Sequence, residues 1–253
     1  PQPLLIKHIN ITAIIHHKID KVTFYRFRAR YPRLHGKNAR LSYHGFGGEV
    51  LAARIYTNQG ASGWGSVSTN LPEAREAAER IVGKKLTEVF SAQKGILDST
   101  LHALDIPLHD LAGVILDIPV AQMIRPKATL SSVVYDGAIY MNDIIPEDHP
   151  QGVEQILRDC EYDYALGHRI LQIKIGRGSI WMPHDEGLAR DIEVVCRIHD
   201  AFPDAYLMVD ANDGYSVEDT IAFMEGIGDT ELYWFEEPFR ECEENTRRLR
   251  EYL

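Results

Sequence analysis

The sequence predicts an α/β protein in which an N-terminal α+β unit precedes parallel strands that alternate with helices. Up to about residue 125, segments with strand-like composition come first and helices follow them. From residue 126 onward, strands and helices alternate at intervals of roughly 30 residues, which is typical of βαβ units on a parallel sheet. We therefore expect two domains, residues 1–125 and residues 126–253.

The N-terminal domain is expected to contain a small antiparallel sheet and a helical pair. Alternating β-branched and aromatic residues predict strands over residues 5–15, 22–27, 49–57 and 61–66. An Asn-Gln-Gly turn at residues 58–60 predicts a hairpin. The polar, aromatic-rich stretch at residues 16–48 predicts a long loop. Helices are expected from Leu71, where a proline and an acidic residue follow, and over residues 96–112, where leucines recur every three or four positions.

The second domain is expected to hold four βα units. Its strands are predicted over residues 133–141, 169–175, 206–210 and 232–236, and its helices over residues 152–166, 186–202, 217–227 and 243–253. A complete barrel of eight such units needs about 250 residues alone. The 253 residues therefore hold the N-terminal unit and about half a barrel, so we expect a truncated barrel. Either they are part of a longer protein, or the chain has no turnover of its own.

The composition disfavours several classes of partner. Acidic residues outnumber basic ones by 37 to 27, and a net charge of −10 argues against binding to nucleic acid or to an anionic membrane. The most apolar stretch, residues 111–120, is far shorter than the ~20 residues that span a bilayer. Three widely spaced cysteines do not suggest a disulfide framework, and the N-terminus has no signal-peptide pattern. We expect a cytoplasmic protein.

Charged side chains mark the ends of three consecutive predicted strands. Lys174 follows Gln172 on the same face of one strand, Asp210 ends the next, and Glu236 ends the one after. Because chemistry in parallel β/α folds lies at the carboxyl ends of strands, these side chains are expected to meet. Two adjacent carboxylates repel unless a proton or cation lies between them, and oxygen ligands favour a hard ion such as Mg²⁺.

Each of these residues also has an ordinary structural interpretation. An Asp after a strand is often a helix cap, a lone Lys usually extends to solvent, and Glu236 followed by another Glu and a Pro suits an exposed loop. The coincidence of all three at consecutive strand ends favours the functional interpretation. The glycine-containing segment at residues 176–183 lacks a phosphate-loop motif and is expected to form the rim of the site.

Three motifs, in this order, resemble the enolase superfamily, and most closely its mandelate racemase and muconate lactonizing branch. They are Gln-Ile-Lys-Ile-Gly at 172–176, Met-Val-Asp-Ala-Asn at 208–212 and Trp-Phe-Glu-Glu-Pro at 234–238. The N-terminal unit is similar to the family's capping domain, so the resemblance covers essentially the whole chain. It implies that Lys174 removes the proton α to a substrate carboxylate. It also implies that Asp210 and Glu236 are two of three carboxylates holding Mg²⁺.

The resemblance implies further site residues and partners. Asn212 falls where the family places a polar group toward substrate or metal, and Gln172 stands where a second lysine is common. Both are expected to bind substrate. The predicted loop over residues 16–48 matches the family's mobile loop that closes over the substrate. The expected partners are a small carboxylic acid and further copies of the chain in a homo-oligomer.

The function implied is a Mg²⁺-dependent lyase that dehydrates a sugar acid through an enediolate. The arginines and histidines of residues 16–48 suit a polyhydroxy acid. Racemisation, epimerisation and cycloisomerisation share the same base and metal, and the group opposite Lys174 that would separate them is not identified. A non-catalytic fragment is the third possibility, because the motifs include no third metal carboxylate.

Overall fold

The computed structural model describes residues 11–128 and 138–253. Its described residues pack as two compact units. The first is formed by Pro1–Ala29 and Gly48–Ser132, and the second by Arg30–Gly47 and Val133–Leu253. A short segment from the N-terminal third of the sequence therefore packs with the parallel βα units. The domain boundary after residue 125 stays a prediction.

The N-terminal sheet has three strands in the order β1-β2-β3. Their bounds are Ile19–His35 for β1, Gly45–Thr57 for β2 and Ser62–Ser66 for β3. Strands β2 and β3 pair antiparallel across residues 58–60, with Ile55 opposite Gly63 and Ala53 opposite Gly65. The hairpin predicted from the Asn-Gln-Gly turn is confirmed.

Two predictions for this region are wrong. Residues Ile11–His16 form a 3₁₀ helix instead of the end of a strand over 5–15, whose first residues lie outside the described chain. Most of the long loop expected over residues 16–48 is strand, because β1 continues to His35. Most residues of β1 are exposed or half-buried. Without one buried face, the strand lacks the apolar alternation by which a sequence reveals it.

The helices of the first unit are short. They are α1 at Leu71–Ile81, α2 at Leu86–Val89, α3 at Asp105–Leu116 and α4 at Val120–Ile124, with a ribbon of β4 at Phe90–Ser91 and β5 at Gly95–Ile96. Helix α1 begins as predicted, because Asn70 accepts a hydrogen bond from the Glu73 amide at 3.0 Å. The helix predicted over 96–112 is instead a 3₁₀ turn at Ser99–Leu104 followed by α3. Pro107 explains this, since proline suits only the first turn of an α-helix.

Two glycines allow helix α3 to lie directly on strand β3. A Cβ built on Gly63 would lie 2.1 Å from the Leu111 nitrogen, and one on Gly65 would lie 2.5 Å from Ile106 Cγ2. Trp64, between them, is 61% exposed and points away from the helix. The close approach buries a core that includes Ile55, Leu104, Leu108 and Leu111, all without exposed surface.

The second unit contains the alternating elements. They are α5 at Val153–Ala165, β6 at Ile170–Lys174, α6 at His184–Ala201, β7 at Tyr206–Asp210, α7 at Val217–Ile227, β8 at Leu232–Glu236 and α8 at Glu243–Tyr252. Strands β6, β7 and β8 are parallel and adjacent in that order, as predicted. No helix among the described residues has both the length and the apolar character needed to cross a bilayer.

A fourth parallel segment flanks β6. Residues 133–137 of the strand predicted over 133–141 lie outside the described chain, but Ile139 forms a parallel bridge to Ile173. The Ile139 amide donates to the Gln172 carbonyl at 2.7 Å, and its carbonyl accepts from the Lys174 amide at 2.8 Å. Met141 pairs in turn with Lys37. The segment at residues 36–44 therefore begins beside the parallel sheet.

The alternation of β6 separates the hydrophobic core from the polar site. Leu171 and Ile173 are fully buried in one apolar cluster with residues of α5, α6 and α7. Because successive side chains of a strand point to opposite faces, Gln172 and Lys174 project to the other side of the sheet. The same core thus fixes the direction of both polar side chains.

Gly63→Ala is expected to lower the free energy of unfolding by about 1–3 kcal/mol, because the added methyl would overlap the backbone of α3. Guanidinium chloride unfolding followed by circular dichroism measures this change. Ser66→Ala, at the exposed end of the same strand, is the matched control and should alter stability by less than about 0.5 kcal/mol. If Gly63→Ala and the control unfold at the same denaturant concentration, the close packing of α3 on β3 is contradicted.

Candidate active site

The parallel register brings the three predicted charged residues together. Lys174, Asp210 and Glu236 end β6, β7 and β8, and the register pairs Lys174 with Asp210 and Asp210 with Glu236. The Nζ of Lys174 forms an ion pair with Oδ2 of Asp210. Both side chains are buried, with exposed fractions of 10% and 3%. A base and two carboxylates therefore lie side by side at one edge of the sheet.

The two amides that were predicted to bind substrate contact the carboxylates. Gln172 donates from Nε2 to Oε2 of Glu236 at 2.7 Å. The backbone amide of Asn212 donates to Oδ1 of Asp210 at 2.7 Å. The side-chain Nδ2 of Asn212 donates to Oδ2 of the same aspartate at 3.2 Å. These bonds restrict the rotation of both carboxylates. Substrate binding by Gln172 and Asn212 stays a prediction.

The donor set of this cluster suits a hard divalent cation. Asp210 and Glu236 offer carboxylate oxygens, and the buried Oδ1 of Asn212 has no hydrogen-bond partner. A buried oxygen without a donor is rare in proteins and is accounted for when it faces an ion. Within residues 11–128 and 138–253, no three His, Cys, Asp or Glu side chains form a cluster able to hold a metal. The fit therefore rests on two carboxylates and one amide oxygen.

Backbone strain is concentrated at the same strand ends. Asn212, Asp213 and Glu237 have φ angles of 46°, 55° and 41°, a left-handed conformation that residues with a side chain rarely adopt. Such geometry persists where the surrounding structure requires it, and it is common at functional sites. Here the left-handed backbone lets Nδ2 of Asn212 donate to Oε2 of Glu237 at 3.3 Å and also to Asp210.

The segment at residues 36–44, between β1 and β2, packs on the ends of β6 and β7. Ala39 is fully buried. Its Cβ lies 2.7 Å from the positions that a Cβ would take on Gly176 and on Gly214. The Asn38 carbonyl accepts from Trp181 Nε1 at 2.6 Å. This segment replaces the much longer loop that the sequence predicted over residues 16–48.

A group of stacked aromatic and histidine rings lies next to Lys174 through Tyr140. Tyr31 stacks on His35 with ring centroids 4.1 Å apart, and His35 stacks on Tyr140 at 4.8 Å. His44 contacts the same tyrosine at 4.5 Å. The Nζ of Lys174 lies 5.9 Å from the Tyr140 centroid. The sequence pointed to the histidines of residues 16–48 but not to Tyr140 or to the stacking, because these rings come from separate segments and share no spacing.

His35 is neutral at physiological pH. Burial lowers its pKa to about 4, and the neighbouring Arg33 and His44 act in the same direction, while Asp163 opposes them. Burial also raises the pKa of Tyr140 above its ordinary value. The stack therefore adds bulk and hydrogen-bonding groups near Lys174 without adding charge.

A fully buried arginine follows the strand that carries Lys174. The guanidinium of Arg177 donates to the two oxygens of Asp143 at 2.9 and 2.7 Å and to Oδ1 of Asp191 at 2.6 Å. It also reaches the Lys174 carbonyl at 3.3 Å. Arg177 lies in the segment 176–183 that was predicted as a rim loop, but its side chain has no exposed surface. An arginine between two glycines gives no sequence signal for burial.

The two aspartates that pair with Arg177 differ in the direction of their pKa shifts. Burial alone would raise the pKa of Asp143, but the charge and hydrogen bonds of Arg177 hold it below its ordinary value. Asp191 accepts from the amides of Gly176 and Arg177 at 2.8 and 3.1 Å and from the Tyr215 hydroxyl at 2.8 Å. Burial raises the pKa of Asp191, while the charge of Arg177 and these hydrogen bonds act in the opposite direction and favour its carboxylate form.

Comparisons with known proteins place this arrangement among characterised structures. Residues 155–253 match the family model described as enolase C-terminal domain-like. A mandelate racemase/muconate lactonizing protein from Geobacillus sp. Y412MC10, complexed with magnesium and tartrate, is 31% identical with a TM-score of 0.84. The match covers 97% of this chain and 64% of that one.

Two further relatives have named activities. A galacturonate dehydratase from Geobacillus sp., complexed with D-galacturonate and 5-keto-4-deoxy-D-galacturonate, is 31% identical with a TM-score of 0.81, over 94% of this chain and 63% of that one. The D-galactarolactone cycloisomerase of Agrobacterium fabrum is 26% identical over 147 residues, which are 58% of this chain and 35% of that protein. The chain thus spans less than two thirds of each relative. The matches confirm the predicted fold class.

Arg177→Met is expected to lower the free energy of unfolding by about 3–5 kcal/mol, because two buried carboxylates lose their counter-charge. Urea unfolding followed by intrinsic fluorescence measures the change. Arg197→Met, which removes only an exposed pair with Glu154, should cost no more than about 1 kcal/mol. Equal losses of unfolding free energy in the two variants would show that the buried cluster of Arg177 contributes no more stability than an exposed ion pair.

The stability of the protein is expected to fall as the pH drops from about 6.5 toward about 4. The folded-state pKa of His35, about 4, lies below the ordinary 6.5, so the unfolded chain takes up the proton first. His35→Phe keeps an aromatic ring in the stack and removes this titration. Thermal melts between about pH 7 and pH 5 should show a smaller fall in Tm for His35→Phe than for the wild type. Parallel falls would contradict the assignment.

Proposed function

We propose, on the premise that this chain belongs to the enolase superfamily in its mandelate racemase and muconate lactonizing branch, that it carries the active site of a Mg²⁺-dependent lyase. The substrate would be a carboxylic acid that loses the proton at its α carbon. The observation that carries this proposal is the buried pair of Lys174 and Asp210 beside Glu236, at the ends of three adjacent parallel strands.

Lys174 is the proposed base. Nζ, which is paired with Asp210 as an ammonium, first gives its proton to solvent; the free amine then accepts the proton from the α carbon, and the ammonium that results pairs with Asp210 again. Asn212 holds the Asp210 carboxylate through two hydrogen bonds, so the partner of the base is already oriented. The burial of both side chains keeps bulk water from competing for the proton.

Asp210 and Glu236 are the proposed ligands of Mg²⁺, with Oδ1 of Asn212 as a neighbouring oxygen donor. When bound, the cation supplies positive charge that stabilises the anion formed as the α-proton leaves the substrate. A relative at 31% identity is complexed with magnesium, which supports this choice of ion.

A sugar acid is the proposed substrate class, and elimination of water is the proposed outcome, in which the α carbon loses its proton, the next carbon loses its hydroxyl group and a double bond forms between the two. Support comes from the galacturonate dehydratase at 31% identity. It also comes from the polar segment 36–44, in which Lys37, Asn38 and Arg40 lie near the strand ends. Such groups suit the hydroxyls and carboxylate of a polyhydroxy acid. We also propose that the protein is cytoplasmic and forms a homo-oligomer, as expected from the sequence.

Cycloisomerisation is the second candidate, since a curated relative is a D-galactarolactone cycloisomerase. It uses the same removal of an α-proton and differs in what happens to the anion afterwards. Racemisation and epimerisation also share the base. The alternative that is not an enzyme is a non-catalytic chain without turnover.

Lys174→Ala is expected to reduce exchange of the substrate α-proton with deuterated solvent by about 100-fold or more, because no other amine takes the place of the base. The chain is incubated with Mg²⁺ and D-galacturonate or related sugar acids in D₂O, and exchange is followed by proton NMR. Lys94→Ala, an exposed lysine of the first unit, should exchange like the wild type.

Three outcomes separate the candidates. Exchange that survives in Lys174→Ala rejects the assignment of the base. Exchange accompanied by loss of water in the mass spectrum supports dehydration, whereas a substrate mass raised only by the incorporated deuterium supports isomerisation. The absence of exchange by the wild-type chain with every acid tested supports the alternative of a chain without turnover.

A further inference from the structure

We infer that Gln172 is a positioning residue that orients Glu236 for a cation and leaves the site with a net negative charge. The inference rests on the proposed function, because it concerns the proposed Mg²⁺ ligand. It assigns to Gln172 a role other than the substrate binding expected from the sequence.

The geometry places Gln172 where it controls Glu236 across the sheet. Gln172 is 5% exposed, and its Nε2 lies 2.7 Å from Oε2 of Glu236, although β6 and β8 are separated by β7. Among the described residues, Gln172 is the only one whose side chain donates a hydrogen bond to this carboxylate. Asp210, in contrast, receives bonds from both Lys174 and Asn212. The orientation of Glu236 therefore depends on one amide.

The charge of the cluster depends on the same position. Lys174 contributes one positive charge, and Asp210 and Glu236 contribute one negative charge each, so the sum is −1. A lysine at position 172 would bring the sum to zero and would neutralise Glu236 directly. An amide fixes the carboxylate without offering a competing cation, so the attraction between the carboxylates and a divalent ion is retained.

The burial of the amide makes this arrangement sensitive to substitution. Gln172 lies between the buried Leu171 and Ile173, whose side chains anchor the strand on the opposite face. The backbone at position 172 is also held, because its carbonyl accepts from the Ile139 amide. A substitution at this position therefore changes the group presented to Glu236 while the strand stays in place.

Calorimetric titration of the 253-residue chain with Mg²⁺ tests the inference. Gln172→Met removes the donor at similar volume and should weaken Mg²⁺ binding by about 10- to 100-fold. Gln172→Lys should weaken it further, because an ammonium beside Glu236 competes with the ion. Gln155→Met is the matched control, since Gln155 makes the same kind of bond to Asp159 at 2.9 Å on helix α5. Its Mg²⁺ affinity should equal that of the wild type.

Circular dichroism and the Tm of each variant accompany the titration, so that a loss of fold is not mistaken for a loss of binding. Supporting the inference requires weaker Mg²⁺ binding than wild type in every one of the two variants, Gln172→Met and Gln172→Lys, that folds, with the lysine variant the weaker of the two where both fold. Wild-type affinity in either folded variant overturns it and leaves the proposed function intact. No Mg²⁺ binding by the wild-type chain overturns both the proposed metal site and the inference.

Discussion

The buried guanidinium of Arg177 is the constraint on which the second unit depends. A charge without exposed surface is tolerated only when counter-charges and hydrogen bonds replace the lost water, and here Asp143 and Asp191 do so. Because one aspartate follows the segment at 139–141 and the other lies on α6, the arginine ties both to the end of β6. The same cluster binds the Gly176 amide and the Lys174 carbonyl. The strand that carries the proposed base thus ends in one fixed position.

The parallel register places the two carboxylates of the candidate site next to the end of β6. Once β6 is placed, its pairing with β7 puts Asp210 beside Lys174, and the pairing of β7 with β8 puts Glu236 beside Asp210. Local strain at Asn212 and Glu237 then directs the loops so that amides contact the carboxylates. The burial cost of the charged groups is offset by these bonds, and the unpaired oxygen of Asn212 remains available for a cation.

The parts of the fold that could be predicted from the sequence are those with a repeated local pattern. The bounds of β7, α7 and β8 agree with the structure, because each has a continuous apolar run or a helical stripe between turn residues. The charged ends of β6, β7 and β8 were predictable for the same reason. The exposed part of β1, the 3₁₀ helix at Ile11–His16 and the buried Arg177 were not. The exposed part of β1 lacks apolar alternation, and the burial of Arg177 depends on Asp143 and Asp191, which lie elsewhere in the sequence, so a local pattern does not record it.

The packing of Ala39 has a consequence for how recognition at this site can vary. Its methyl group fills a space bounded by two glycines, and neither glycine has room for a Cβ. Any larger side chain at position 39 would push the segment 36–44 off the strand ends. New contacts with a ligand can therefore be introduced through Lys37, Asn38 or Arg40, while position 39 has to stay small. Ala39, Gly176 and Gly214 thus hold the segment 36–44 in one position, while the side chains at positions 37, 38 and 40 can change without moving it.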